Sequence, residues 1–235
     1  MADLKLNGVT PAGIGKIKLG STDVKKVYSG TTLVWPISSP PEPCTGFLFA
    51  DKTQLRTAVD LWVSNRTSAI ATYGQINTWC TGNVTDMSQL FQSKTTFNDD
   101  ISNWDVSNVT DMSNMFYNAT SFNKDIGSWN MSSVTRARYM FYFASSFDQN
   151  INAWNVSSVT NMYGMLSLMS VFNQPIGDWD VSNVTDMGAM FLASTSFNQD
   201  ISTWCVTNIT SEPINFSLNS PLTQANKPVW GTCPP

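Results

Sequence analysis

The chain has no histidine among its 235 residues. That absence removes the commonest general base, the commonest metal ligand and the imidazole partner of serine and cysteine nucleophiles. Charge is also scarce. Charged residues make up 13% of the sequence, about half the usual share. The net charge is -4, which disfavours nucleic acid as a partner. No apolar run approaches the ~20 residues that span a bilayer, so membrane insertion is not expected. The opening Met1-Ala2-Asp3-Leu4-Lys5 lacks the apolar stretch of a signal peptide. Carboxylates occur singly in most copies of the pattern described below. A calcium role for Asn98-Asp99-Asp100 is therefore disfavoured, and no metal or cofactor is expected.

What is present is an internal repeat. Trp79, Trp104, Trp129, Trp154, Trp179 and Trp204 recur every 25 residues. Ile76, Ile101, Ile126, Ile151, Ile176 and Ile201 precede them in register, and Val84, Val109, Val134, Val159, Val184 and Ile209 follow. Two further columns are Phe91, Phe116, Phe141, Leu166, Phe191 and Phe97, Phe122, Phe147, Phe172, Phe197. A fixed period of this length means stacked units, each too small to bury its own apolar face. The aromatic and methionine columns read as core. Within one unit, Trp104 to Met112 is β-branched and partly alternating, which predicts a short strand. Met112, Met115, Phe116, Ala119 and Phe122 follow at helical spacing, which predicts a short helix. The expected architecture is thus an α/β repeat, a solenoid of about five and a half units. Thr85, Thr110, Thr135, Thr160, Thr185 and Thr210 should form an exposed ladder. Asn98, Asn123, Asp148, Asn173 and Asn198 should satisfy backbone groups at turns.

The run Asn-Val-Thr-Asp-Met-Ser-x-Met-Phe at 108–116, with Phe-Asn-x-Asp-Ile-Ser-x-Trp-Asp-Val-Ser at 97–107, resembles the BspA-like surface-protein repeat, a leucine-rich-repeat relative. The resemblance covers roughly residues 47–233. It implies a right-handed leucine-rich-repeat-like solenoid and protein binding or adhesion in place of catalysis. The third repeat departs from the pattern: Arg136-Ala137-Arg138-Tyr139 stands where other copies have Asp-Met-Ser-Asn. Arg and Tyr are enriched in binding hot spots, and Tyr163 occupies the column of Arg138 one copy on. The candidate binding residues are Arg136, Arg138, Tyr139 and Tyr163, with Thr110, Thr135 and Thr160 on the exposed ladder. The simpler reading of Arg136 is relief of acidic crowding between Asp111 and Asn161. Recurring Asp columns such as Asp86, Asp111 and Asp186 suggest structure, so no catalytic residue and no enzyme activity is expected.

The ends differ from the middle. At the start, Asp51 is placed to cap a helix with the stripe Leu55, Ala58, Val59 and Trp62, giving a helical cap over 47–78, the repeats over 79–210 and a loop-like C-terminal cap over 211–235. Four cysteines allow three pairings. Cys80 and Cys205 share a column in the first and last copies, while Cys44 and Cys233 lie in the caps. The simplest pairing is Cys44 with Cys80 and Cys205 with Cys233. Residues 1–36 hold five Lys against Asp3 and Asp23. Ile17 to Gly20 and Val27 to Trp35 read as strands with a Ser-Gly turn, a small β module joined by a Pro/Ser-rich linker over 37–46. So short a piece rarely folds alone, so an oligomer of itself or a larger platform is its expected partner. This stretch resembles the opening modules of tailed-phage virion proteins. That resemblance implies a virion structural protein on capsid or tail, attached to other virion proteins through residues 1–36. Its solenoid would serve as decoration, or bind a host-surface protein or glycan as a tail fibre does. A bacterial surface adhesin with the same repeat is the alternative.

Overall fold

The computed structural model describes residues 44–234 and four short strands before them: β1 Lys18–Leu19, β2 Thr22–Asp23, β3 Val27–Ser29 and β4 Thr32–Trp35. Strands β1 and β2 pair antiparallel, as do β3 and β4. The second pair is the hairpin expected around Ser29-Gly30. The rest of the expected β module and the linker up to residue 43 lie outside the described residues. The chain divides into two compact units, Met1–Cys44 and Thr45–Pro235.

The second unit opens with α1, Lys52–Ser64, and α2, Arg66–Tyr73. The Asp51 carboxylate accepts from the Gln54 amide at 2.9 Å, and Asn65 does the same for Ser68 at 3.1 Å. Each satisfies an amide the first helical turn would leave bare. Helix α1 buries Leu55, Ala58, Val59 and Trp62, the stripe its sequence predicts. Among the described residues no helix is long and apolar enough to cross a membrane.

The repeats then stack as coils 25 residues apart, but not as the α/β leucine-rich-repeat-like solenoid expected from the sequence. The unit contains neither the predicted helix nor a strand longer than one residue. Over 112–119 the amides are divided between two uses, which explains the missing helix. Met112, Asn114, Phe116 and Asn118 donate to the carbonyls of Arg136, Arg138, Met140 and Tyr142 in the next coil, at 2.7–2.9 Å. Met115, Tyr117 and Ala119 close tight turns onto Met112, Asn114 and Phe116. No amide remains for the four-residue step of an α-helix. The alternation needs left-handed backbone twice per coil, at Asn114 and Asn118 with φ of 56° each and again at Ala189 and Ala193 with 53° each. The predicted strand fails for a similar reason. Trp104 and Val109 turn back onto Ile101 and Val106, leaving one parallel bridge per coil along Asp86, Asp111, Arg136, Asn161 and Asp186.

Three columns hold the coils in register. The Thr ladder forms: Thr110 directs both its amide and its hydroxyl to the Thr85 carbonyl, at 2.8 and 3.2 Å, and Thr135, Thr160 and Thr185 repeat the arrangement. The Asn column also forms. The Asn98 side chain accepts from the Asn123 amide at 2.9 Å, Asn123 from Asp148, Asp148 from Asn173 and Asn173 from Asn198. Each Trp indole from Trp104 to Trp204 donates to a core carbonyl 28 residues earlier, as Trp154 does to Ile126 at 3.0 Å. Inside, the rings stack coil on coil, Phe91 on Phe116 and Phe116 on Phe141 at 5.3 Å, Trp179 on Trp204 at 6.3 Å. Such pairs add about 0.5–1.5 kcal/mol each beyond area burial.

Cys205 is bonded to Cys233, and Cys44 and Cys80 are disulfide-bonded as well, so no described cysteine is free. Trp230 packs its edge on Phe216 at 4.9 Å.

Three outcomes follow. Ala193→Asn should stabilise the fold and Asn118→Ala, in the same column, should destabilise it, each by about 0.5–1 kcal/mol, because Asn tolerates left-handed backbone better than Ala. Paired chemical denaturation measures both, and shifts of one sign in the two variants would refute the reading. Second, peptide mapping without reductant should recover Cys205 with Cys233 and Cys44 with Cys80, and reduction should cost about 2–5 kcal/mol per bridge. Third, several carboxyls hold turn amides and titrate below their ordinary range. For Asp180 and Asp200 the cause is the hydroxyl and amide of Ser182 and Ser202, and for Asp100 the Ser102 amide. At Asp86 and Asp111 burial opposes ionisation, but Ser88 with Lys52 and Ser113 with Arg136 outweigh it. Depressed folded values mean this stabilisation is complete above the unfolded carboxyl pKa of about 4 and is lost as pH falls below it. The melting temperature should be flat from neutral to mildly acidic pH and fall below pH ~4. An equal melting temperature on both sides of that range would remove the turn carboxylates from the stability of the fold.

Candidate functional site

The turn segments place a row of outward side chains on one face of the array. In the first coil this row is polar: Ser88, Gln89, Gln92 and Ser93. In the next three coils the equivalent positions bring four tyrosines and an arginine together. Tyr117 stacks on Tyr142 at 4.7 Å, Tyr142 meets the edge of Tyr139 at 5.3 Å, and Tyr139 meets the edge of Tyr163 at 5.2 Å. The Arg138 guanidinium lies 4.9 Å from the Tyr139 ring centre and 5.4 Å from that of Tyr163. Rings at these distances attract a cation through their quadrupole. Beside them Phe143 is 44% exposed, unusual for a phenylalanine on a polar surface.

Two glycines make room for the rings. Gly164, with φ of 60°, lies under Tyr139, where a β-carbon would overlap the ring. A β-carbon at Gly188 would come within 2.6 Å of Tyr163. The rings therefore lie down along the array, each over the following coil. Packing also changes the phenols. Tyr163 titrates above its ordinary value, chiefly because Tyr139 is beside it and then through burial and Asp186, with Arg138 opposing. Tyr142 is raised by burial first and by Tyr117 and Tyr139 after it. Tyr142 and Tyr163 thus present neutral hydroxyls at physiological pH.

Of the residues the sequence singles out, Arg138, Tyr139 and Tyr163 come together. Arg136 does not join them. Its Nε donates to Asp111 at 2.9 Å, the charge relief expected of it along the bridged column. Thr110, Thr135 and Thr160 form their own ladder, with each hydroxyl proton committed to a backbone carbonyl. Tyr117 and Tyr142 are part of the patch and escaped notice in the sequence. The signal was available: they are one period apart, and Tyr142 is three residues from Tyr139. Among the described residues no ion pair engages Arg138.

The acidic residues are engaged in structure. Asp99 accepts from the Trp62 indole and from Arg66, which itself sits 4.8 Å over the Trp62 ring. Asp60 meets Lys94, and Asp86 meets Lys52. Among the described residues no group of three carboxylate or cysteine side chains is placed to hold a metal.

One family model matches the chain, over residues 61–169 and again over 127–228. The two stretches overlap, run from within α1 through the repeats into the C-terminal cap, and together cover well over half of the sequence. No curated protein and no solved structure matches it. The match begins downstream of residues 1–36 and lends no support to the resemblance of that stretch to tailed-phage virion modules. The chain therefore belongs to the family described as Mycoplasma protein of unknown function, DUF285, and is a BspA-like repeat protein.

Proposed function

We propose that the protein is a bacterial surface protein that binds a partner through the Tyr117–Tyr142–Tyr139–Tyr163 patch and Arg138, as a non-enzymatic adhesin does. Three properties support this reading. The family is one of BspA-like repeats. The carboxylates of the array are engaged by turn amides and ion pairs, an arrangement suited to rigidity. The patch itself carries the proposal: it gathers rigid rings and a cation without an ion-pair partner among the described residues, at positions that the first coil fills with Ser88, Gln89, Gln92 and Ser93. Tyrosines offer large amphipathic contact area at small entropic cost, and burying them around an arginine is a recurrent source of binding energy.

The virion reading, with capsid or tail attachment through residues 1–36, belongs beside this one as the finer alternative. It rests on a stretch that the family match does not reach. Antibody labelling of intact producing cells and of released particles separates the two, since label confined to particles would reverse the proposal.

The binding face is tested with Arg138→Ala combined with Tyr163→Ala. Labelled protein is applied to arrays of surface proteins and glycans and to whole cells. The double variant should lose binding by about tenfold or more, the size of a hot-spot loss, while its melting temperature stays within a few degrees of the parent. Unchanged binding would leave the patch as ordinary surface.

A further inference from the structure

Every coil passes alternate turn-segment amides forward to the next. Met162, Gly164, Leu166 and Leu168 donate to Asp186, Gly188, Met190 and Leu192, and Ala189, Phe191 and Ala193 donate to Ile214, Phe216 and Leu218, at 2.7–3.1 Å. The last segment repeats the same backbone. Phe216 and Leu218 close turns onto Pro213 and Asn215, and left-handed residues recur at Asn215 and Asn219 with φ of 55° and 62°. By that equivalence the amides of Asn215, Ser217 and Asn219 face forward, off the end of the stack. Among the described residues none of the three has an acceptor. The side chains beside them are bare as well: Ile214 is 73% exposed and Leu218 52%. A shallow groove runs along this edge, with Lys227 on its far wall, held to Glu212 at 2.7 Å.

We propose that this C-terminal edge is a second binding site, and that its ligand is a peptide segment of a partner protein that adds to the array as one more coil. The chemistry of the edge selects the ligand. Its forward-facing backbone offers donors alone, two residues apart, and so presents a row of partial positive charge. Its complement is a row of acceptors at the same spacing, which a polypeptide supplies through alternate carbonyls. Apolar side chains on that segment would cover Ile214 and Leu218, as each coil covers the one before it. A second copy of this chain fits poorly. Two such ends face to face would set donors against donors. At the other end of the array α1 is in place, its Lys52 bonded to Asp86 and Ser88 of the first coil. Exposed edges with unpaired amides are templates for another chain; here the charges on the groove's wall are paired with each other as Lys227 and Glu212, and Pro213 lies ahead of the three amides.

The test uses the full chain labelled with nitrogen-15 and a synthetic peptide copying residues 210–223, the segment whose own carbonyls accept from the preceding coil. In the free protein the Asn215, Ser217 and Asn219 amides should exchange rapidly with solvent. With peptide present they should slow by about tenfold or more while the other amides hold their rates, as added local protection requires. Ile214→Lys combined with Leu218→Lys should abolish that protection without changing the melting temperature, and Arg138→Ala with Tyr163→Ala should leave it intact, separating this site from the tyrosine patch. Three results would overturn the proposal: no peptide binding at millimolar concentration, slow exchange of the three amides in the free protein, or protection that rises with protein concentration alone and tracks a dimer in sedimentation. The last would give the edge to a second copy.

Discussion

The constraint on which this structure depends is the division of backbone amides between a coil and its neighbour. Buried amides must be paired, and each coil is too short to pair its own. The turn segment solves this by alternation: one amide closes a three-residue turn, the next crosses to the following coil. The Thr, Asn and Trp columns are further instances of the same solution, since each uses a side chain or an amide to satisfy a carbonyl or amide one period away. Register follows directly. A slip of one residue between coils would break every crossing bond and take every ring out of its stack, so the 25-residue period is enforced by hydrogen bonding as much as by packing.

This explains which parts of the fold were legible in the sequence. The columns were, because stacked coils demand the same residue at the same place. The Thr and Asn ladders were legible because polar residues in strict register have few other uses. The first cap was legible because Asp51 and the stripe from Leu55 to Trp62 follow ordinary helical rules. The secondary structure within a unit was not. Met112, Met115, Phe116, Ala119 and Phe122 all lie buried, yet a spacing of three and four is equally the signature of successive tight turns. What separates the two is the demand for left-handed backbone, visible as Asn at 114 and 118 and, one residue out of register, at 215 and 219, but hidden where Tyr139, Phe143 or Leu168 stands in the columns of 114 and 118.

The site was half legible for a related reason. Departure from a repeat is easily seen, so Arg138, Tyr139 and Tyr163 were found. Arg136 departs just as visibly, but its geometry assigns it to Asp111. Tyr117 and Tyr142 keep the register and so looked like repeat residues, although they supply the stacked half of the patch. Conversely, Gly164 and Gly188 carry no chemistry and determine where the rings lie. Departure marks where specificity begins, but only the stacking shows which departures converge.

A coil that passes amides forward must also end somewhere, and the two ends of the array are not equivalent. The first coil presents its acceptor side, where Lys52 from α1 supplies a cation. The last presents donors beside Ile214 and Leu218. The Cys205–Cys233 bridge and Trp230 secure the C-terminal segment on the tryptophan side of the coil, and neither supplies an acceptor to Asn215, Ser217 or Asn219. Stability and satisfaction are thus separated there. The disulfide holds the terminal coil in the conformation of the others without completing its hydrogen bonds, and a rigid, correctly shaped edge of bare donors loses little order on meeting a strand of acceptors. The interaction that builds the array coil by coil is the same one its unfinished end has to offer.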